Sequence, residues 1–448
     1  MKKLIRLCEY LLFILFLGML PFLRNKLATL FIIPIMALIY IFIKKVKIKR
    51  YGLFIFTLAL GIRLFTIFVL KVEIADDFKT MYEASLSLIK GNFNFMNGFY
   101  FQTYPYQLGL VLYQAILLKI VNNVIILKLM NSLITSLIVM LIYLITKRLF
   151  KEEYARMLSL GYIFYLYPLY LNSVLTNQHI QALIVLIVIY IFITKKENTQ
   201  LYMVIAILLG ISNFFRAESI VIIITLILYN IAFITKKNYQ CKLKNVITLL
   251  VTYLLLTNLL TFLLNISPLY KNIDKKNAID KNVTVWKFYC GLSTEHNGIY
   301  NNDDGERYFS TNNEKALLME RIRQDKFKFP ILFIKKEVIL WTQTNYDLRI
   351  TNNFNKTLYN LLLKFNQAIL NMTLLLFALG MFPRKEETKK EVLFIKLLIG
   401  VYFGVYLFIE ISPRYAYILH MLIFLLLGTS MEKIESYLKN RKSITMSH

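Results

Sequence analysis

Runs of about twenty apolar residues recur along most of this 448-residue chain, and each is long enough to cross the roughly 30 Å hydrocarbon layer as a helix. In lipid every backbone N–H and C=O must find its partner inside the protein, so repeated runs of this length select helices. Composition agrees, since 57% hydrophobic residues, including 34 Phe and 30 Tyr, exceed what a water-soluble core can bury. The expected fold class is an all-α polytopic membrane protein. The opening segment, MKKLIRLCEYLLFILFLGML, has a basic start and an apolar stretch but lacks a small-residue cleavage site, and it reads as a retained first span.

Candidate spans fall at roughly 8–23, 27–43, 51–70, 123–147, 155–175, 179–194, 200–215, 218–235, 246–266, 357–382, 392–410 and 413–430. The net charge of +27 is dispersed over short segments between these runs, which argues against a nucleic-acid partner and makes the cations topology signals. The clusters are Lys44, Lys45, Lys47, Lys49 and Arg50; Lys147, Arg148, Lys151 and Arg156; Lys195 and Lys196; and Lys236, Lys237, Lys242 and Lys244. Arg384, Lys385, Lys389 and Lys390, then the tail from Lys433 to Lys442, complete them. By the positive-inside rule these clusters and both termini face the cytoplasm, in what reads as a bacterial cytoplasmic membrane with its lipids as surroundings.

That map holds only if the apolar stretch from Tyr104 to Val121 does not cross. It begins with a proline, contains Gln107, Gly109 and Gln114, and is short, which suits an interfacial or re-entrant helix. Residues 71–122 then form one outer loop carrying the adjacent acids Asp76 and Asp77. Two carboxylates at a membrane exit repel each other, so they suggest a base or a cation ligand at headgroup depth, although they also suit a solvated helix start. From Phe78 to Ile89, apolar residues Phe78, Tyr82, Leu86 and Ile89 describe an amphipathic helix along the membrane surface. The chain divides into a transmembrane region 1–266 with that outer loop at 71–122, an outer cap 267–356, and a second transmembrane region 357–448 with a cytoplasmic tail.

Arg216 and Arg414 lie at outer ends of spans, where the positive-inside rule does not account for them. They either snorkel to the headgroups, pair with Glu218 and Glu410, or serve a site at that face. Cys8, Cys241 and Cys290 have no metal-ligand spacing and receive no role. Asp303-Asp304-Gly305-Glu306 lacks the alternation of a calcium loop and reads as a solvated turn.

Several outer-face pieces occur in a suggestive order. They are Asp76-Asp77-Phe78, Tyr82, Ala84 and Gly91; Tyr104-Pro105-Tyr106-Gln107 with Gly109; and Trp286 with Gly291. Gly298-Ile299-Tyr300-Asn301 with Asp303, Lys336 with Trp341, and Glu410 with Arg414-Tyr415 follow. Together they resemble the GT-C superfamily of membrane glycosyltransferases, and within it bacterial members of the protein O-mannosyltransferase-like group.

The resemblance implies a GT-C-like bundle of about 12 transmembrane helices with interfacial helices in the first outer loop and a small outer cap. It implies inverting transfer of a sugar from a polyprenyl-phosphate donor to an envelope glycan, lipid or protein acceptor on the outer face. The loop acid would be the general base, with Asp77 preferred and Asp76 open. Expected substrate contacts are Tyr82, Tyr104, Gln107, Gln178, His179, Arg216, Lys336, Arg414 and Tyr415. Where relatives often carry a second acid this chain has Asn177, Gln178 and His179, so no metal ligand set is assigned and a divalent cation is left open as cofactor. The alternatives are an envelope polysaccharide polymerase or ligase, or a non-enzymatic lipid or glycan transporter; few ionisable residues within the spans and no inverted repeat weigh against the transporter.

Overall fold

The computed structural model describes residues 2–46, 48–235, 237–271, 283–343, 350–351, 355–382 and 389–445. Lys47, Lys236, Arg384 and Lys385 of the basic clusters lie outside them. Among the described residues helices joined by turns and loops form the whole of the regular structure apart from two isolated bridges, Val72 with Ile350 and Ile299 with Ile411.

Among the described residues seven helices are long and apolar enough to cross a membrane: Lys26–Lys45, Tyr51–Val69, Ile125–Leu149, Tyr239–Ile266, Lys356–Met381, Lys390–Phe408 and Pro413–Asn440. Four shorter apolar helices join them, at Glu9–Phe22, Gln178–Thr194, Thr199–Phe215 and Ser219–Ala232. One expected span does not form as a single helix. Residues 155–175 divide into Glu152–Phe164 and Leu166–Leu171, with Tyr165 extended between them at φ −74° and ψ 105°. Pro168 explains the break, because its ring would collide with the carbonyl of Phe164 in a continuous helix and it has no N–H to donate there.

The helix Ile125–Leu149 packs against Tyr51–Val69, Gln178–Thr194 and Glu152–Phe164, and its buried face carries Asn131, Ser132 and Thr135. These polar groups are satisfied inside the bundle. Asn131 Nδ2 donates to the Val174 carbonyl at 2.9 Å, and Asn172 Nδ2 to Ser132 Oγ at 2.8 Å. Arg63, Glu9 and Lys396 are charges within the spans that are buried and partnered. Arg63 is fully buried, donating from Nε to Thr135 Oγ1 at 2.9 Å and from a terminal nitrogen to the Ala59 carbonyl at 3.3 Å. Glu9 and Lys396 form a buried ion pair at 2.5 Å that ties the first helix to Lys390–Phe408.

Opposite ends of the bundle differ in chemistry. At one end Lys151 pairs with Glu435, Lys147 with Glu152 at 3.1 Å, and Lys389 Nζ donates to the Leu149 carbonyl at 2.7 Å. Three clusters distant in sequence therefore share that end. The stretch after Tyr104 is a short 3-10 turn, Pro105–Gln107, followed by the 13-residue helix Leu108–Ile120. At 1.5 Å per residue it is about 20 Å long, shorter than the roughly 30 Å hydrocarbon layer. It packs on Asp76–Ile89 and on Thr199–Phe215. Gly109 makes the second contact close, since a Cβ there would lie 1.8 Å from the Phe214 carbonyl oxygen.

The helix Asp76–Ile89 buries Phe78, Met81, Ala84 and Ser85, with Tyr82, Leu86 and Ile89 half-buried against the core. Its buried stripe is thus rotated from the one expected, because it rests on a neighbouring helix whose Val111 and Gln114 accept from Ser85 Oγ. The cap contains Val283–Gly291, Asn302–Ser310, Glu314–Asp325 and Phe329–Thr342, with Trp286, Tyr289, Cys290 and Tyr308 as its core. Asp303–Glu306 is not the solvated turn its composition suggests. Asn301 Oδ1 caps that helix by accepting from the Asp304 N–H at 2.8 Å, while the Asp304 carboxylate is buried and takes hydrogen bonds from Arg321 and from Asn301 Nδ2.

Candidate functional site

At the end away from the basic clusters lies a cavity of about 580 Å³ lined by Asp77, Gln107, Arg216, Arg414 and Tyr415. Each comes from a different local structure. Asp77 stands in the first turn of Asp76–Ile89, where the helix N-terminus favours negative charge. Asp76 just before it has φ 53°, a left-handed conformation that a short polar side chain tolerates. Arg216 ends Thr199–Phe215 in extended conformation, and Arg414 lies in the 3-10 turn Pro413–Tyr415.

Three ion pairs border this space: Arg414 with Asp77 at 3.1 Å, Arg216 with Glu218, and Lys287 with Glu410. Arg216 also stacks 4.4 Å from the Tyr415 ring centroid, and Arg414 lies 5.0 Å from that of Phe78. Burial disfavours charge on Lys287, but the Glu410 carboxylate outweighs it and holds the ammonium well above the usual lysine range. Glu218 in the same way keeps the Arg216 guanidinium charged against its burial. The pairs differ in access to water. The Asp77 side chain is 42% exposed, whereas Glu218 is 13% and Glu410 9% exposed. Asp77 is therefore the carboxylate most able to leave its cation.

Neutral groups hold the frame. Asn177 Nδ2 donates to Gln107 Oε1 at 3.0 Å and to the Phe215 carbonyl at 2.7 Å, and Gln181 Nε2 donates to Glu218 at 2.9 Å. Phe78, Met81, Ile220, Val221 and Val405 give the cavity an apolar flank beside its charged groups.

Five expected contact residues do not line the cavity. Gln178 donates from Nε2 to the Arg414 carbonyl at 2.8 Å and so positions that turn rather than facing the space. His179 is fully buried between Tyr417 Oη at 3.3 Å and the Leu171 carbonyl at 3.0 Å, which makes it structural. Tyr82 packs half-buried against the core, and Tyr104 sits behind Lys287, 6.0 Å from its ammonium to the ring centroid. Lys336 donates to the carbonyls of Gly291, Leu407 and Ile409 and fastens the cap to the segment before Glu410. Asp76 is exposed and is not part of the cavity wall.

Lys287, Glu218, Glu410 and Tyr106 also line the wall. Sequence reasoning assigned them no substrate role. A signal for Lys287 existed, as the lone cation of the otherwise apolar and aromatic segment VTVWKFYCG. Among the described residues no group of three or more His, Cys, Asp or Glu gathers to hold a metal ion. No protein-family model matches this chain, and no curated protein is significantly similar to it.

Proposed function

We propose that this chain is an inverting GT-C-type membrane glycosyltransferase that moves a sugar from a polyprenyl-phosphate donor to an envelope glycan, lipid or protein acceptor. The observation that carries this reading is one cavity in which a water-accessible carboxylate, Asp77, meets three cations, Arg216, Lys287 and Arg414, beside an apolar flank. A lipid-linked sugar phosphate needs each of those features. The flank takes the first part of the prenyl chain, the cations take the phosphate, and the carboxylate takes a proton.

In the reaction the acceptor hydroxyl oxygen bonds to the anomeric carbon from the face opposite the phosphate, while Asp77 accepts the hydroxyl proton. The bond from the anomeric carbon to the phosphate oxygen breaks with its electrons left on that oxygen. Fixed cations stabilise the charge that grows there. The donor phosphate brings negative charge to a site whose ion pairs already balance, so it takes the place of Asp77 on Arg414 and leaves that carboxylate free to act as base. The basic end faces the cytoplasm and the cavity faces outward, as the positive-inside rule requires.

Asp77→Asn tests this directly, because it keeps shape and most hydrogen bonding but removes the proton acceptor. General-base assistance contributes about a hundred- to ten-thousandfold in rate. Envelope polymers and lipid-linked sugars from cells carrying each variant, compared by mass spectrometry, should show transfer lost and donor accumulating with Asp77→Asn, and a milder effect with Asp76→Asn. Full transfer by the double Asn variant at normal membrane levels would end the proposal.

A further inference from the structure

The cap holds a second recess, of about 240 Å³, formed by the far side of the helix that carries Lys287 together with Glu314–Asp325. Val283, Thr284, Lys287 and Phe288 of that helix face the main cavity, whereas Tyr289 faces the recess. The two spaces are thus separated by one helix, a body about 10–12 Å across. We propose that this recess binds a neutral, hydroxyl-rich sugar ring of a glycan.

Its walls are almost wholly polar, with Leu317 the one aliphatic residue among those lining it. The polar groups are held in place before any ligand arrives. The Arg321 guanidinium lies over Tyr289, 3.7 Å from the ring centroid, donates to the Tyr289 carbonyl at 2.6 Å, and is paired with Asp304. Lys328 is paired with Asp325 at 2.9 Å, and the other carboxylate oxygen of Asp325 accepts from Thr294 Oγ1 at 3.0 Å. Arg307 reaches Glu320 at 3.5 Å, and Gln324 Nε2 donates to the same carboxylate at 2.9 Å.

Every cation of the recess therefore has its own carboxylate, and Glu295 adds a further negative charge to the wall. An acidic sugar or phosphate would meet no surplus positive field. A hydroxyl group, by contrast, can accept from a guanidinium, ammonium or amide edge and donate to the neighbouring carboxylate, so alternating donors and acceptors suit a polyol. The volume admits one ring rather than an extended chain. A longer glycan gripped here would pass its end over the Lys287 helix toward the main cavity; that role as an acceptor grip rests on the proposed transfer reaction, whereas binding in the recess does not.

Binding is therefore measured without transfer, on the purified full-length chain in detergent, by saturation-transfer NMR and calorimetry. The probes are the neutral trisaccharides maltotriose, cellotriose and chitotriose, with trigalacturonate and inorganic phosphate as anionic controls. At least one neutral trisaccharide should bind with a dissociation constant on the order of millimolar, and the Arg307→Ala, Gln324→Ala double variant should weaken it about tenfold. Both substituted residues are exposed, so the fold should survive, and Thr294→Val provides a second, independent weakening. The proposal falls if none of the three neutral probes binds, if binding is unchanged in the double variant and in Thr294→Val, or if only the anionic probes bind. Loss of transfer in Asp77→Asn with sugar binding intact would leave both readings standing, and sugar binding with full transfer in the double Asn variant would keep this one alone.

Discussion

Lys336→Met is the perturbation whose consequence the structure specifies most fully. The Lys336 ammonium is buried and spends its three N–H donors on the carbonyls of Gly291 at 2.7 Å, Leu407 at 2.9 Å and Ile409 at 2.8 Å. Methionine keeps the chain length but leaves all three acceptors without that donor. At about 1.5–3 kcal/mol for each bond to a charged group, the gross loss is roughly 5–9 kcal/mol. Releasing an ammonium from burial returns several kcal/mol of it, so the net cost should be on the order of 2–4 kcal/mol. Lys336→Arg should not rescue. Gly298 already crowds this side chain, since a Cβ on that glycine would lie 2.8 Å from Lys336 Cδ and Cε, and a branched guanidinium has no room. Reversible unfolding in mixed micelles measures the loss, with Glu410 beside the freed segment expected to part from Lys287 in the folded variant. A Met variant within about 0.5 kcal/mol of the parent would refute the reasoning, because it would mean the three carbonyls find other donors at no cost.

Arg414→Ala should lower sugar transfer on the order of a hundredfold and more than Arg414→Lys does, since lysine keeps the charge but not the planar fork; equal, parent-like rates in membranes from cells making each variant would return Arg414 to a structural role. Gly109→Val should destabilise the contact of Leu108–Ile120 with Phe214, where even a Cβ falls at 1.8 Å from backbone, and fluorescence-detected gel filtration should show less monodisperse protein. Burial alone would raise the Asp304 carboxyl, yet hydrogen bonds from Arg321, Asn301 and Ser293 outweigh it and hold it below its ordinary value of 3.8. The unfolded cap therefore takes up this proton first as pH falls, so the stability it contributes is fully present above about pH 4 to 5 and is lost as pH drops through the folded value. Tryptophan fluorescence of Trp286, in the cap core, should report an acid transition that Asp304→Asn makes less steep; an unchanged pH profile would exclude that carboxylate as its source.

Period and length are local properties, and what they govern was readable from the residues alone. Apolar runs such as 51–70 and 357–382 had to become helices because no other structure satisfies the backbone in lipid, and Tyr51–Val69 and Lys356–Met381 are those helices. The proline-led stretch after Tyr104 was recognisable as a separate short helix, and Leu108–Ile120 is that helix. Arg216 and Arg414 stood out because a cation at an apolar helix end, outside the basic clusters, needs a partner. Which partner it takes is a property of distance across the fold. Asp77 and Arg414 are 337 positions apart, and Lys287 and Glu410 are 123 apart, so only the packing of the helices decides that these charges meet at one cavity. The same packing turned His179 and Gln178 away from that space, because a helix start shows which residues are polar but not which neighbour will satisfy them. Asp304 shows the limit most plainly: three acids around a glycine look solvated until Arg321, on the next helix, closes over one of them. Burying a charge is affordable only when its counter-charge arrives with it, and that pairing exists in three dimensions and not along the chain.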